Sequence, residues 1–261
     1  MHRVLAISSY VAKGTVGLQA TMPAFATAGI EAIAIPTVLL SNHPGFKACA
    51  GTAIARETLR EIFDALDANG WLSSVDAVFT GYLPSDGHVH FARSAVERVK
   101  AANPAALYLA DPVLGDDPEG LYVSREAAIA VRDNLLPLAT ITTPNRFELS
   151  WLSGLDVSNR ETAVEAARRL GVALTAATSI PAGSEHLENV LVSGRETYVN
   201  SVARLAEAPH GTGDYFAGTL LAALLHNAQP ADAMATASRL TERLVAASQH
   251  SSDLVFADVR N

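Results

Sequence analysis

Two hydropathy patterns alternate along the chain: short apolar runs, and longer stretches in which apolar residues recur every three or four positions. The first pattern predicts strands at residues 4–7, 32–36, 77–80, 106–110, 140–142, 173–178, 190–192 and 197–199. The second predicts helices at 17–28, 54–68, 85–101, 124–134, 145–152, 160–170, 214–226 and 231–249. Each strand-to-strand interval has room for one crossover helix, so the chain reads as an α/β protein. A mainly parallel central sheet is expected, flanked by helices on both faces, in a single domain over residues 1–261. From 188 to 208 the helices stop, and two short strands flank Ser193-Gly194-Arg195, a hairpin turn.

Composition narrows the function classes. Of the 261 residues 49% are apolar and 18% charged, enough for a large core, and the net charge of −8 offers no basic track for nucleic acid. The apolar run at 216–225 is well short of the ~20 residues that span a bilayer. The run at 4–7 is too short for a signal-peptide core. Both point to a soluble cytoplasmic protein with no membrane partner. Cys49 is the sole cysteine, which excludes an internal disulfide, fits a reducing compartment and reads as a small buried apolar residue. His88 and His90 lie in a polar stretch and read as exposed; neither they nor His2, His186, His226 and His250 show metal-ligand spacing. Lys13, Lys47 and Lys100 are the only lysines, so a phosphate site in the C-terminal half must do without one.

Several segments at predicted strand ends carry candidate chemistry. His210-Gly211-Thr212-Gly213-Asp214 precedes an apolar helix; its glycines let backbone N–H groups turn inward, and the helix start adds a positive dipole, together an anion site. Asp214 sits where it could accept a proton from an attacking hydroxyl, or serve simply as a helix cap. Asp111 and Asp116, in Asp111-Pro112-Val113-Leu114-Gly115-Asp116, could bind Mg²⁺ through water or be solvated turn residues. Thr143-Pro144-Asn145-Arg146-Phe147-Glu148 has the spacing of a capping box, and Glu148 could also orient metal-bound water. Ser8-Ser9, Ser41-Asn42-His43, Gly81-Tyr82 and Thr178-Ser179 each follow a predicted strand, on the edge where such sheets bind ligands.

In this order, these segments resemble the pyridoxal kinases of the ribokinase-like superfamily over nearly the whole chain. The Gly-Thr-Gly-Asp element is shared across the superfamily, whereas the Ser-Asn-His and Asp-Pro-Val-Leu-Gly-Asp segments belong to the B6 branch. The resemblance implies transfer of the γ-phosphoryl of ATP to the 5′-hydroxyl of pyridoxal, with Mg²⁺ as cofactor, a monovalent cation as an optional helper, and a homodimer. It makes Asp214 the base and the N–H groups of Gly211, Thr212 and Gly213 the anion hole. Asp111, Asp116 and Glu148 would arrange Mg²⁺ and its waters, and Asp111, Thr143, Asn145, Glu148, Thr178, Ser179 and the Gly211–Gly213 loop would meet the nucleotide. Ser9, His43, Tyr82 and Asp214 would line the substrate pocket.

The substrate segments depart from the family. Tyr10 replaces a usual histidine, Leu18 an asparagine, and Pro44 a threonine, removing a hydroxyl and a backbone donor. The phosphoryl machinery thus matches more closely than the vitamin reader. A kinase of hydroxymethylpyrimidine or a sugar is the alternative on the same fold. A non-catalytic binder of a B6 vitamer or nucleotide is the alternative of another class.

Overall fold

The computed structural model describes residues 1–205, 208–249 and 251–256. His250, like residues 206–207 and 257–261, lies outside them. A nine-stranded sheet runs through the molecule in the order β11-β10-β9-β8-β5-β4-β1-β2-β3. Its strands are β1 (Arg3–Val11), β2 (Glu31–Leu40), β3 (Gly51–Ala53), β4 (Ala77–Thr80), β5 (Leu107–Ala110), β8 (Ile141–Thr142), β9 (Leu174–Ala182), β10 (His186–Ser193) and β11 (Glu196–Ala203). The six strands from β2 across to β9 are parallel; β3 at one edge and β10 and β11 at the other are antiparallel. β6 (Gly115–Asp116) and β7 (Gly120–Leu121) form a separate two-stranded antiparallel ribbon.

Helices cover both faces because β1 and its neighbours are apolar on both. Leu5 and Ile7 of β1 pack with Leu59 and Phe63 of α2 (Arg56–Ala68) and with Val96 of α3 (Asp86–Ala102). Val4 and Ala6 pack instead with Phe25 of α1 (Leu18–Thr27), Leu220 of α7 (Thr212–Leu225) and Met234 of α8 (Pro230–Ala247). Continuous apolar strands are what a parallel sheet buried on both sides requires. α5 (Arg146–Ser153) and α6 (Arg160–Leu170) close the β9–β10 end through Leu149, Ala163 and Ala166. α4 (Arg125–Ala130) runs on into a wider π-type turn, Val131–Leu135. Gly218 lets α7 lie close on α1: a side chain there would meet the Ala24 methyl at 3.2 Å. No described helix is long and apolar enough to cross a membrane.

Several elements differ from their sequence reading. β1 and β9 do not stop at residues 7 and 178. Each passes through a register shift, at Ser9 in β1 and at Thr178-Ser179 in β9, and continues. Such bulges bend the strand and re-aim a side chain, and they place Ser9, Thr178 and Ser179 within strands instead of beyond them. β3, missed in the sequence, is three exposed residues with no burial pattern. Cys49 is exposed rather than buried. His88 is buried rather than exposed, because Ser85 Oγ at 2.8 Å and the Ile54 carbonyl at 2.9 Å satisfy its two ring nitrogens.

Candidate active site

The chain leaves β1 for β2 on one side and later returns to β4 on the other, so the strand order reverses at β1. Parallel sheets open a crevice at such a point, beyond the carboxyl ends of the strands. Ser8 shapes its floor. Its Oγ accepts the Tyr82 N–H at 3.1 Å, and a Cβ on Gly81 would lie 2.4 Å from it, so only glycine fits after β4. Thr37 Oγ1 donates to the Tyr82 carbonyl at 2.8 Å, and burial pushes the Tyr82 hydroxyl's pKa up.

The Gly211–Asp214 segment forms the cap and first turn of α7. Gly211 has φ +87, and a Cβ there would come within 1.7 Å of the Thr15 carbonyl oxygen, so this position is closed to any other residue. Thr212 Oγ1 donates to the Pro209 carbonyl at 2.7 Å, while the first-turn N–H groups have no partner inside the helix. The N–H of Gly17 lies near the Asp214 carboxylate and favours its charged form. Gly17 lies against Ser9 and holds φ +56, ψ −128, a conformation other residues adopt only under strain. The helix begins at Thr212, two residues earlier than the hydropathy pattern indicates, and this makes the glycines part of its first turn.

Asp111, just beyond β5, feels the charges of two other carboxylates, Asp214 and Glu148. Protein surrounds Asp214 densely enough to push its pKa up to about 6, against the opposing Gly17 N–H. Asp111, buried, is held well above the usual carboxylate range by burial first, then by the charges of Asp214 and Glu148. Glu148 rises to about 7 through burial, offset by the N–H groups it accepts. Such crowding of like charge in a cleft marks functional sites. Asp111 is oriented by Thr143 Oγ1 at 2.8 Å.

The predicted capping box is present and does more than end a helix. Asn145 Oδ1 accepts the Glu148 N–H at 2.9 Å and Glu148 Oε2 accepts the Asn145 N–H at 2.9 Å. Glu148 Oε1 reaches out to the Leu114 N–H at 2.7 Å, and Asn145 Nδ2 donates to the Gly115 carbonyl at 2.9 Å. Both side chains therefore tie the Asp111–Asp116 segment to α5. Arg146 clasps Asp117 at 2.7 Å, and the Thr178 N–H donates to the Pro144 carbonyl at 2.9 Å, bringing the β9 bulge to the same corner. Ser179 holds φ +61, rare for a residue with a side chain.

The expected metal set is only partly assembled. Among the described residues no three histidine, cysteine or acidic side chains converge to cage an ion. Glu148 spends its oxygens on backbone donors, and Asp116, its pKa raised chiefly by burial, accepts from the Asp117 N–H at 2.8 Å. Asp111, Asp116 and Glu148 offer the oxygen ligands that a hard divalent cation prefers.

His43 lies at the mouth of the crevice, in the loop after β2, stacked on His210 with ring centroids 4.1 Å apart. Burial and the neighbouring His210 lower its pKa, with Asp253 opposing. The sequence reading missed the strap that moors this mouth. The His210 N–H donates to the Ser252 carbonyl at 3.0 Å, Thr15 Oγ1 to the Leu254 carbonyl at 3.2 Å, and Lys13 Nζ pairs with Asp253 at 2.8 Å. Leu254 is buried beside Ala20, Tyr215 and Leu244, which anchors the strap.

Comparison with known proteins agrees with this geometry. The phosphomethylpyrimidine kinase family model matches residues 12–254. A pyridoxal kinase of Leifsonia xyli subsp. xyli is 35% identical over 228 residues, 84% of this chain and 80% of that protein. A pyridoxine/pyridoxal/pyridoxamine kinase of Bordetella avium is 34% identical over 242 residues, 90% of this chain and 82% of that one. The pyridoxal kinase of Leishmania donovani in complex with ADP and pyridoxamine superposes with a TM-score of 0.89 at 31% identity, covering 97% of this chain and 92% of that one. The pyridoxal kinase of Entamoeba histolytica superposes with a TM-score of 0.91 at 26% identity, with the same two coverages. With this fold, this crevice and these relatives, the chain belongs to the phosphomethylpyrimidine kinase family, in the company of its pyridoxal kinases.

Proposed function

We propose that this protein moves the γ-phosphoryl of ATP to the 5′-hydroxyl of pyridoxal or a related B6 vitamer, giving the 5′-phosphate and ADP. The observation that carries the reading is Asp214. A carboxylate poised at about 6 is ionised at neutral pH yet basic enough to take a proton, and it sits on the same helical turn as the free N–H groups of an anion hole. Asp214 takes the hydroxyl proton as the oxygen attacks, while the N–H groups of Gly211, Thr212 and Gly213 hold the charge gathering on the moving phosphoryl. Thr143, Asn145, Thr178 and Ser179 gather at the corner assigned to the nucleotide. Ser9, His43 and Tyr82 surround the acceptor. Positioning and charge stabilisation are most of the catalytic task in phosphoryl transfer.

Asp111 and, through water, Asp116 and Glu148 would hold Mg²⁺, which when bound neutralises charge on the phosphate oxygens. The reading includes a cytoplasmic homodimer, as the family resemblance implies.

A second acceptor has an observation in its favour. Pro44 removes a hydroxyl and a donor beside His43, and the matching family model is described by phosphomethylpyrimidine. The test is ADP release with pyridoxal, pyridoxine, pyridoxamine, hydroxymethylpyrimidine and ribose. Turnover of the B6 vitamers is expected. Turnover of only a non-B6 alcohol would replace pyridoxal by that acceptor, and calorimetric vitamer binding without ADP from any alcohol would make the protein a binder.

A further inference from the structure

His43 is the candidate substrate contact with the least local support. Its loop, Ser41 to Lys47, is mostly exposed, and within it the ring is steadied by one bond, the Gly45 N–H donating to Nδ1 at 3.2 Å. That bond also sets the ring's chemistry. An Nδ1 that accepts carries no proton, so the neutral imidazole keeps its proton on Nε2 and presents a donor there. Among the described residues the ring's other support comes from outside the loop, from His210. Its imidazole stacks on His43 at 4.1 Å with 25° between planes, and the Phe46 ring meets it edge-on at 6.2 Å. Lys13 Nζ lies 5.5 Å from the Phe46 centroid while paired with Asp253, the residue that follows the His210 backbone's own acceptor, Ser252. His210 is also the residue immediately before Gly211. One side chain therefore joins the loop that would read the alcohol to the loop that would hold the phosphoryl group.

We propose that His210 is a positioning residue: by stacking on His43 it holds that ring's Nε2–H donor toward the acceptor alcohol, in register with the Gly211–Asp214 turn. This rests on the functional reading above for the identity of the alcohol, but not for the contact itself. The stack needs an aromatic plane rather than a titrating nitrogen, so His210→Phe should keep it and His210→Ala should lose it.

The test compares wild type, H210A and H210F by steady-state kinetics with the alcohol that the wild type turns over. From the usual strength of an aromatic pair, H210A is expected to raise KM for that alcohol about 3- to 10-fold. KM for ATP should not change and kcat should stay within about 2-fold, and H210F should restore the alcohol KM. An unchanged alcohol KM in H210A, a parallel rise in both KM values, or an H210F as impaired as H210A would overturn the proposal. Nitrogen-15 spectra of the His43 ring supply a readout that needs no substrate. Wild type and H210F should show one tautomer with Nδ1 unprotonated, and H210A should move toward an average of the two; identical His43 shifts in all three would also overturn it. Should wild type act only on a non-B6 alcohol, the pyridoxal assignment fails while the same comparison, made on that alcohol, still decides the role of His210. Should no alcohol turn over, the His43 spectra decide it.

Discussion

Gly17 brings its backbone N–H near the carboxylate of Asp214, favouring its charged form, and does so from a conformation that a side chain would forbid. A Cβ on Gly17 would fall 2.2 Å from Ser9 Oγ and 2.4 Å from the Ser9 carbonyl oxygen. Gly17→Ala is therefore expected to destabilise the fold by at least ~1–3 kcal/mol, the usual cost of such backbone strain. Because the shift would also move the N–H that favours ionised Asp214, kcat should fall more than the loss of folded protein accounts for. Denaturant unfolding alongside kinetics on the folded fraction measures both.

Asp214→Asn removes the base while keeping the side chain's size. Phosphoryl transfer should slow by ~10²–10⁴ with little change in ATP affinity, the range for losing a general base. Wild-type turnover in this variant would remove Asp214 from the chemistry.

The pH dependence follows from the same carboxylate. A base at about 6 works when deprotonated, so kcat/KM should rise with pH up to about 6 and level off above it, and below it fall about tenfold per pH unit. Stability should move the opposite way. Native Asp214 and Glu148 hold protons up to about 6 and about 7, whereas in the unfolded chain they release them near pH 4. Their contribution is full below that pH and is lost as pH rises through the native values. Ligand-free protein should thus show Tm falling on this account from about pH 4 to about pH 8, with a shallower fall in Asp214→Asn, read by scanning calorimetry.

Glu148→Ala separates a structural role from metal binding. It strips the acceptor from the N–H groups of Leu114 and Asn145, and each buried donor left unpaired costs ~1–3 kcal/mol. A loss of ~2–4 kcal/mol in metal-free buffer is expected by urea titration. A variant as stable as wild type would return Glu148 to the role of a mere metal ligand.

The predicted strands and helices match where burial is continuous, as in β4 and β5, or periodic, as in α6. The misreadings have local causes. Ser8-Ser9 and Thr178-Ser179 break apolar runs with hydroxyls, which reads as a strand end; the strands continue because one neighbour, β2 for β1 and β10 for β9, goes on pairing past them. β3 buries nothing and so leaves no hydropathy signal. His88 looked exposed because its partners, Ser85 and Ile54, belong partly to another element. In the site, Gly211–Asp214 and Asn145–Glu148 were legible because each is a local backbone motif. The approach of the Gly17 N–H to Asp214 and the stacking of His43 on His210 join residues far apart in sequence, and no spacing rule encodes them.

The strap through Ser252, Asp253 and Leu254 has a consequence for synthesis. A nascent chain that has reached the end of α8 already carries every candidate residue of the site, yet His210 still lacks its backbone acceptor, Thr15 its carbonyl and Lys13 its carboxylate. Until these moorings form, the mouth of the crevice beside the phosphate loop is not yet held as it is in the finished protein.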